Sequence, residues 1–262
     1  MPEIISVSSG KGGVGKSSLA VNMAMRLQDA HGPTLLVDCD LLMANSHVLL
    51  NVSPTADLID VLEGLWDWRV AAQKLPNGLS LLSGRTAADI LVDSEAERLT
   101  DFLHTLKTTA DEFSYIIVDL PAGTGEVVMN AVSVADYSIV VLLGQATSFI
   151  DAYAMIKNCY LEKNVTSFYA IVNMATSAAR AETIFDNFER TVSRLLPIKL
   201  IYTGYMPRMH EINLSSVHGR LIEHDVMKER IFPKIESILN MLFKKEPLYT
   251  ASNPGTLFSD EP

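Results

Sequence analysis

Apolar residues fall into two rhythms along this chain. Short, nearly unbroken runs recur at Ile4-Ile5-Ser6-Val7, Thr34-Leu35-Leu36-Val37, Leu79-Ser80-Leu81-Leu82, Tyr115-Ile116-Ile117-Val118, and residues 138–143, 168–172 and 199–203. Their length and β-branched content predict strands buried on both faces. Between them apolar residues recur at helical spacing. Residues 18–30, with Leu19, Met23 and Leu27 on one stripe, are the first such segment, followed by 56–63, 94–109, 127–135, 148–161, 178–195 and 227–245. The alternation predicts an α/β fold of three layers, a doubly wound and mostly parallel sheet covered by helices on both faces. Residues 41–78 are mixed, and the Trp66 and Trp68 pair within them reads as packing anchors. No repeat or linker divides the chain, so one domain is expected over residues 1–245. The Pro-, Gly-, Ser- and Asp-containing residues 246–262 read as a flexible tail.

One stretch carries chemistry. Gly10-Lys11-Gly12-Gly13-Val14-Gly15-Lys16-Ser17 fits G-x-x-x-x-G-K-[ST], the phosphate-cradling loop of nucleoside triphosphatases, and it sits between the first predicted strand and the first predicted helix. Glycines let the backbone turn with positive φ and bring N–H groups to phosphate oxygens at a helix N-terminus, whose dipole favours anions. Gly10, Lys11, Gly12, Gly13, Val14, Gly15, Lys16, Ser17 and Ser18 are the expected ATP-binding set. Lys16 reaches the β- and γ-phosphates and Ser17 holds Mg²⁺. The competing reading is a glycine-rich turn that binds nothing.

Ligands of open parallel sheets bind beyond the carboxyl ends of the strands. Asp38 and Asp40 end the second strand and Asp119 ends the central one. Three carboxylates on one rim suit a hard cation held through oxygen, and a water aimed at phosphorus. Asp119 and Asp38 are assigned to the metal and Asp40 to the water, against the alternative that each merely caps a helix.

Lys11 with Lys16, in Lys-Gly-Gly-Val-Gly-Lys-Ser, resembles the deviant Walker A motif of the MinD/ParA family of ATPases. The likeness continues through Leu36-Val37-Asp38-Cys39-Asp40 and Asn45, and through Ile117-Val118-Asp119-Leu120-Pro121-Ala122-Gly123, to about Ile222. The resemblance implies a P-loop fold of MinD/ParA type and an ATP-sandwiched homodimer. In that dimer Lys11 reaches the partner's nucleotide and, with Asp40 and Lys16, forms the catalytic set. Asn173 is then an adenine contact, and Pro207 lines the base. A lysine supplied in trans adds positive charge to the transferring phosphoryl group only when two subunits close, so dimerisation gates hydrolysis. The segment from Ala146-Thr147-Ser148-Phe149-Ile150-Asp151 to Lys157 is similar to the FlhG/FleN branch, which controls flagellar number and placement. That likeness implies a partner protein, an FlhF-like GTPase or a flagellar switch component. MinD-like division-site and ParA-like DNA-partition roles are the alternatives. Residues 119–126 also resemble the switch of iron–sulfur carriers, which need a C-x-x-C that this sequence lacks.

Composition narrows these readings. The formal net charge of -10 disfavours nonspecific nucleic-acid binding. Cys39 and Cys159 are the only cysteines, far apart, so a reduced, cytoplasmic setting is expected. No apolar run approaches the ~20 residues that span a bilayer. Ile231, Ile235, Ile238, Leu239, Leu242 and Phe243, followed by Lys244 and Lys245, form an apolar stripe at the end of the domain. It has two readings: a helix packed on the sheet, or an amphipathic helix that places the dimer on the inner face of the cell membrane.

Overall fold

The computed structural model describes residues 1–40, 44–85, 94–209 and 224–244. Eight strands form one sheet: β1 (Glu3–Ser9), β2 (Thr34–Asp38), β3 (Gln73–Lys74), β4 (Ser80–Leu82), β5 (Tyr115–Ala122), β6 (Tyr137–Leu142), β7 (Ser167–Ala175) and β8 (Lys199–Pro207). Their order is β3-β4-β2-β5-β1-β6-β7-β8, and every neighbouring pair is parallel except the two-residue edge strand β3 against β4. The helices are α1 (Lys16–Ala30), α2 (Ser46–Leu49), α3 (Leu58–Leu62), α4 (Trp68–Ala71), α5 (Ser94–Thr109), α6 (Glu126–Val134), α7 (Ala146–Lys163), α8 (Ala178–Ser193) and α9 (Phe232–Leu242). The expected three-layer, doubly wound architecture is the one found.

Side chains alternate across each strand, which divides the core in two. Leu35 and Val37 of β2, with Ile116 and Val118 of β5, join the cluster beneath α3 to α8. Leu36, Ile117, Ile5 and Val7 join the cluster beneath α1 and α9. The same alternation carries forward by two residues. Asp38 follows Leu36 and Asp119 follows Ile117, and the two aspartates are register partners on adjacent strands. Both carboxylates therefore end on the face that α1 covers.

Three expectations change, and one pair of readings narrows. Trp66 is exposed, whereas Trp68 is buried and packs on Phe113, so only one of the pair anchors the core. The central strand runs past Asp119 to Ala122, because Ala122 still pairs with Ser9. The expected helix over 227–245 begins earlier, with a short helical turn at His224–Val226, and runs as a π-turn over Met227–Ile231 before α9, whose second residue is Pro233. The missing N–H of that proline leaves an upstream carbonyl without its usual donor. Finally, the apolar stripe considered for membrane contact is part of the core. Ile231, Phe232, Ile235, Ile238, Leu239 and Leu242 are all buried, and Phe243 packs on Tyr115 and Tyr137. Glu236 ties α9 to α1 through Arg26 (2.7 Å) and His31 (3.1 Å). A helix with its apolar face in the sheet presents its polar face outward, which is the sheet-packed one of the two expected arrangements. Lys245 and the tail at 246–262 lie outside the described residues. No helix among the described residues is long and apolar enough to cross a membrane.

Candidate active site

The glycine loop leaves β1 at the carboxyl rim of the sheet and hands the chain to α1, with Gly15 as the residue before the first helical turn. Gly15 adopts φ 83, and a Cβ there would lie 2.4 Å from Asn173 Nδ2. Both facts demand glycine. Gly13 also has positive φ (77), and two left-handed glycines two residues apart suit a loop whose backbone N–H groups gather into an anion nest. Gly10 is needed for a different reason. A Cβ there would stand 2.1 Å from the backbone carbon of Asp151, so the loop is seated directly against the first turns of α7.

Lys16 is the centre of the polar arrangement. Its side chain is 7% exposed, and its ammonium lies 2.6 Å from Asp119 Oδ1, of a side chain with no exposed surface, and donates to Ser17 Oγ at 3.3 Å. Burial pushes the Asp119 carboxyl up to about 6, against the pull of Lys16, and the nearby Asp38 charge pushes the same way as burial. The second oxygen, Asp119 Oδ2, is buried with no hydrogen-bond partner among the described residues. An orphaned carboxylate oxygen beside a serine hydroxyl and a lysine, next to a glycine loop at a helix N-terminus, fits a magnesium-bound phosphate chain by the chemistry of its donors.

Asp38 is placed with these groups but is engaged otherwise. Its Oδ1 accepts from the backbone N–H of Asp40 (3.1 Å), and its Oδ2 accepts from those of Asn45 (3.2 Å) and Ser46 (2.9 Å). Burial raises its carboxyl, and these N–H groups draw it back. Three backbone bonds give Asp38 a second task beside its expected place near the metal, that of shaping the turn that carries Asp40. Residue pattern alone could not show this, since an aspartate at a strand end reads the same whichever donors it meets.

Lys11 stands apart from Lys16. It is exposed at the outer edge of the loop, with Nζ 3.4 Å from Thr147 Oγ1 in the first turn of α7. In the sequence Thr147 stands only in the FlhG/FleN-like segment, just ahead of the expected helix 148–161, with nothing to tie it to Lys11. At the other end of the cleft, Asn173 donates from Nδ2 to the carbonyl of Val14 (2.7 Å), and its Oδ1 accepts from the N–H of Met174. A cavity of about 290 Å³ opens here against Gly13, Gly15 and Ser18. Asn173 and Pro207 both line it, together with Asn22 and the thioethers of Met174, Met206 and Met209. The methionines add a soft, apolar wall suited to a flat ring, which the sequence reading did not single out. The structure thus brings all the expected site residues to one rim.

Fold and loop together define a P-loop NTPase. A family model described as ParA, NUBPL iron-transfer P-loop NTPase, matches residues 1–194. The chain belongs to the ParA/MinD family of P-loop ATPases. Among curated proteins it is 31% identical to the antiactivator FleN of Pseudomonas aeruginosa over 78% of this chain and 73% of that one. It is 26% identical to the flagellum site-determining protein YlxH of Helicobacter pylori over 93% and 82%. It is 33% identical to the septum site-determining protein MinD of Bacillus subtilis over 86% and 83%. Among solved structures, the MinD cell division protein of Aquifex aeolicus superposes with a TM-score of 0.71 at 26% identity, covering 94% of this chain and 99% of that one. As for the iron named in the family description, Cys39 and Cys159 are both fully buried, and burial pushes both thiols up. Neither offers a thiolate at the surface.

Proposed function

We propose that the chain is a cytoplasmic switch ATPase in which ATP and Mg²⁺ join two copies and hydrolysis parts them, and that its output regulates flagellar number or placement as in FlhG/FleN proteins. One observation carries this reading: the two lysines of a single loop occupy opposite environments, Lys16 buried against Asp119 and Lys11 exposed at the rim. One copy uses Lys16 for its own phosphates and has Lys11 to offer to another. The loop N–H groups cradle the phosphates, and Asn173 and Pro207 border the base. Ser17 and Asp119 would hold Mg²⁺, which supplies charge neutralisation at the phosphate oxygens. Lys16 leaves Asp119 for the phosphates, and Asp40, on the turn that Asp38 shapes, aims the water. Lys11 adds its charge to the site of the second copy, so hydrolysis waits for closure.

The flagellar assignment rests on the likeness to FleN and YlxH. The likeness to MinD supports division-site placement as the second reading. DNA partition is disfavoured by the net charge of -10. Size-exclusion chromatography with light scattering tests the switch. Asp40→Ala with ATP and Mg²⁺ is expected to elute as a dimer, and Asp40→Ala combined with Lys11→Ala as a monomer. A single variant that binds ATP tightly and remains monomeric overturns the proposal. In the native cell, deletion is expected to change flagellar number, and minicells with normal flagella would move the assignment to division.

A further inference from the structure

Three large apolar side chains stand in solvent within one short stretch, two in the turn after α3 and one in α4: Leu65 is 66% exposed, Trp66 48% and Val70 64%. The other exposed large apolar side chains among the described residues occur singly along the chain. Single ones need no explanation, but a cluster does.

The exposure does not come from slack. Asp57 and Asp60 form a reciprocal capping box at the start of α3, and Arg85 clamps both carboxylates. The carbonyl of Asp60 accepts from the N–H groups of both Leu65 and Trp66. Trp68 is buried on Phe113, and the Arg69 guanidinium stacks over Trp68 (4.3 Å) while pairing with Glu112 and the carbonyl of Thr109. The hairpin is therefore held from beneath while its apolar side chains face water, a preorganised surface that loses little freedom on binding.

Its surroundings are acidic. Glu63, Asp67, Asp111 and Glu112 are all exposed on or beside the hairpin; Glu112 pairs with Arg69, Asp111 with the N-terminal ammonium (3.7 Å), and Arg85 with Asp57 and Asp60, which leaves these charges net negative. A second copy of a chain with net charge -10 is a poor match for such a rim. We propose that this hairpin docks a basic amphipathic segment of another protein, one that sets large apolar side chains beside lysine or arginine. The proposal is independent of nucleotide and of dimer closure.

The test uses the whole chain and a tryptophan-free peptide about 18 residues long, of leucine and lysine at helical spacing, with a counterpart carrying glutamate for lysine. The protein has two tryptophans, one exposed and one buried, so its emission reports on Trp66. The lysine peptide is expected to shift that emission to the blue, saturably, and the glutamate peptide to leave it unmoved. Leu65→Ser with Val70→Ser is expected to weaken binding about tenfold by anisotropy of the labelled peptide. Glu63→Lys with Asp111→Lys is expected to do the same through charge. Trp66→Phe is expected to abolish the shift while binding persists. Serine at the exposed positions leaves Leu58, Ile59 and Trp68 in the core, so these variants fold. Equal binding of both peptides, or affinity unchanged in the paired variants, overturns the proposal. So does self-association of the ligand-free chain that the serine variant abolishes, which would assign the surface to a second copy.

Discussion

The two ends of the central strands are finished in opposite ways. At the carboxyl end the chain buries a lysine and two aspartates around a glycine loop, leaves one carboxylate oxygen without a partner, and opens a cavity. At the amino end, Tyr115, Tyr137 and Tyr169 form an aromatic floor with Phe243 and His31. The polar groups there are matched: the N–H of Ile4 donates to Asp136, which also pairs with Lys107. The difference separates two tasks. Buried charges cost free energy unless fully compensated, so the carboxyl end carries a cost that the proposed phosphate chain and cation would offset. The amino end contributes packing and asks for no ligand. A substitution at either end should therefore separate binding from stability.

The largest effect is expected at Gly15. Alanine there meets both the left-handed φ and the Asn173 amide. Strain of about 2 kcal/mol in the fold is expected together with loss of nucleotide affinity of at least about a hundredfold, because the donors of the nest are displaced. Thermal unfolding and nucleotide titration of Gly15→Ala read the two losses. Gly12→Ala, whose Cβ would meet nothing within 4 Å, is the control and is expected to unfold at the wild-type temperature.

At the amino end the expectation reverses. Phe243→Ala removes a half-buried ring in contact with Tyr115, Tyr137 and His31. A cost of about 2 kcal/mol is expected in urea unfolding, from lost burial and an imperfectly closed gap, with nucleotide affinity unchanged. A drop in affinity as large as that at Gly15 would show that the two ends are coupled and that the division of tasks fails.

What the sequence made legible follows the same division. Strands such as 115–118 announce themselves because a parallel strand covered on both faces must be apolar throughout, and the glycine loop does so because few residues tolerate its backbone. The path beyond Asp119 was hidden, since Pro121 and Ala122 break the apolar run and only pairing with Ser9 keeps them in the sheet. Trp66 and Trp68 are one residue type two positions apart. Their opposite fates depend on Phe113, distant in sequence, which covers one and not the other. The stripe of α9 has the same spacing whether it faces lipid or a sheet, and only the neighbouring α1 and β8 decide. Asp38 was placed at the right rim, but its engagement depends on where Asn45 and Ser46 turn their N–H groups. Local pattern carries the elements and the loop; choices between two equally apolar or equally acidic fates belong to tertiary contacts.

The smallest expected effect, and the finest probe of the comparison, is in pH. At the carboxyl end, burial raises Asp119 to about 6. The ligand-free fold thus binds a proton there more tightly than the unfolded chain, and this group adds stability as pH falls through 6 toward the ordinary carboxylate range. A cation requires the ionised form, so the proton must leave when magnesium and nucleotide bind. Affinity in the presence of Mg²⁺ is expected to hold above pH 7 and to fall about tenfold per unit below 6. Asp119→Asn is expected to bind more weakly and to lose that slope. At the amino end the sign is opposite. Burial pushes Glu236 up, but hydrogen bonds from Arg26 and His31 bring it below its ordinary value. Its contribution to stability is present at neutral pH and disappears as pH falls through that lowered value. Glu236→Gln should therefore be less stable than wild type at pH 7, converge on it in acid, and keep the wild-type pH profile of nucleotide affinity. Calorimetric titration across about pH 5 to 8 and urea unfolding carried from about pH 7 down to about pH 3 measure the two slopes, and an affinity profile flat through pH 6 would remove Asp119 from the cation.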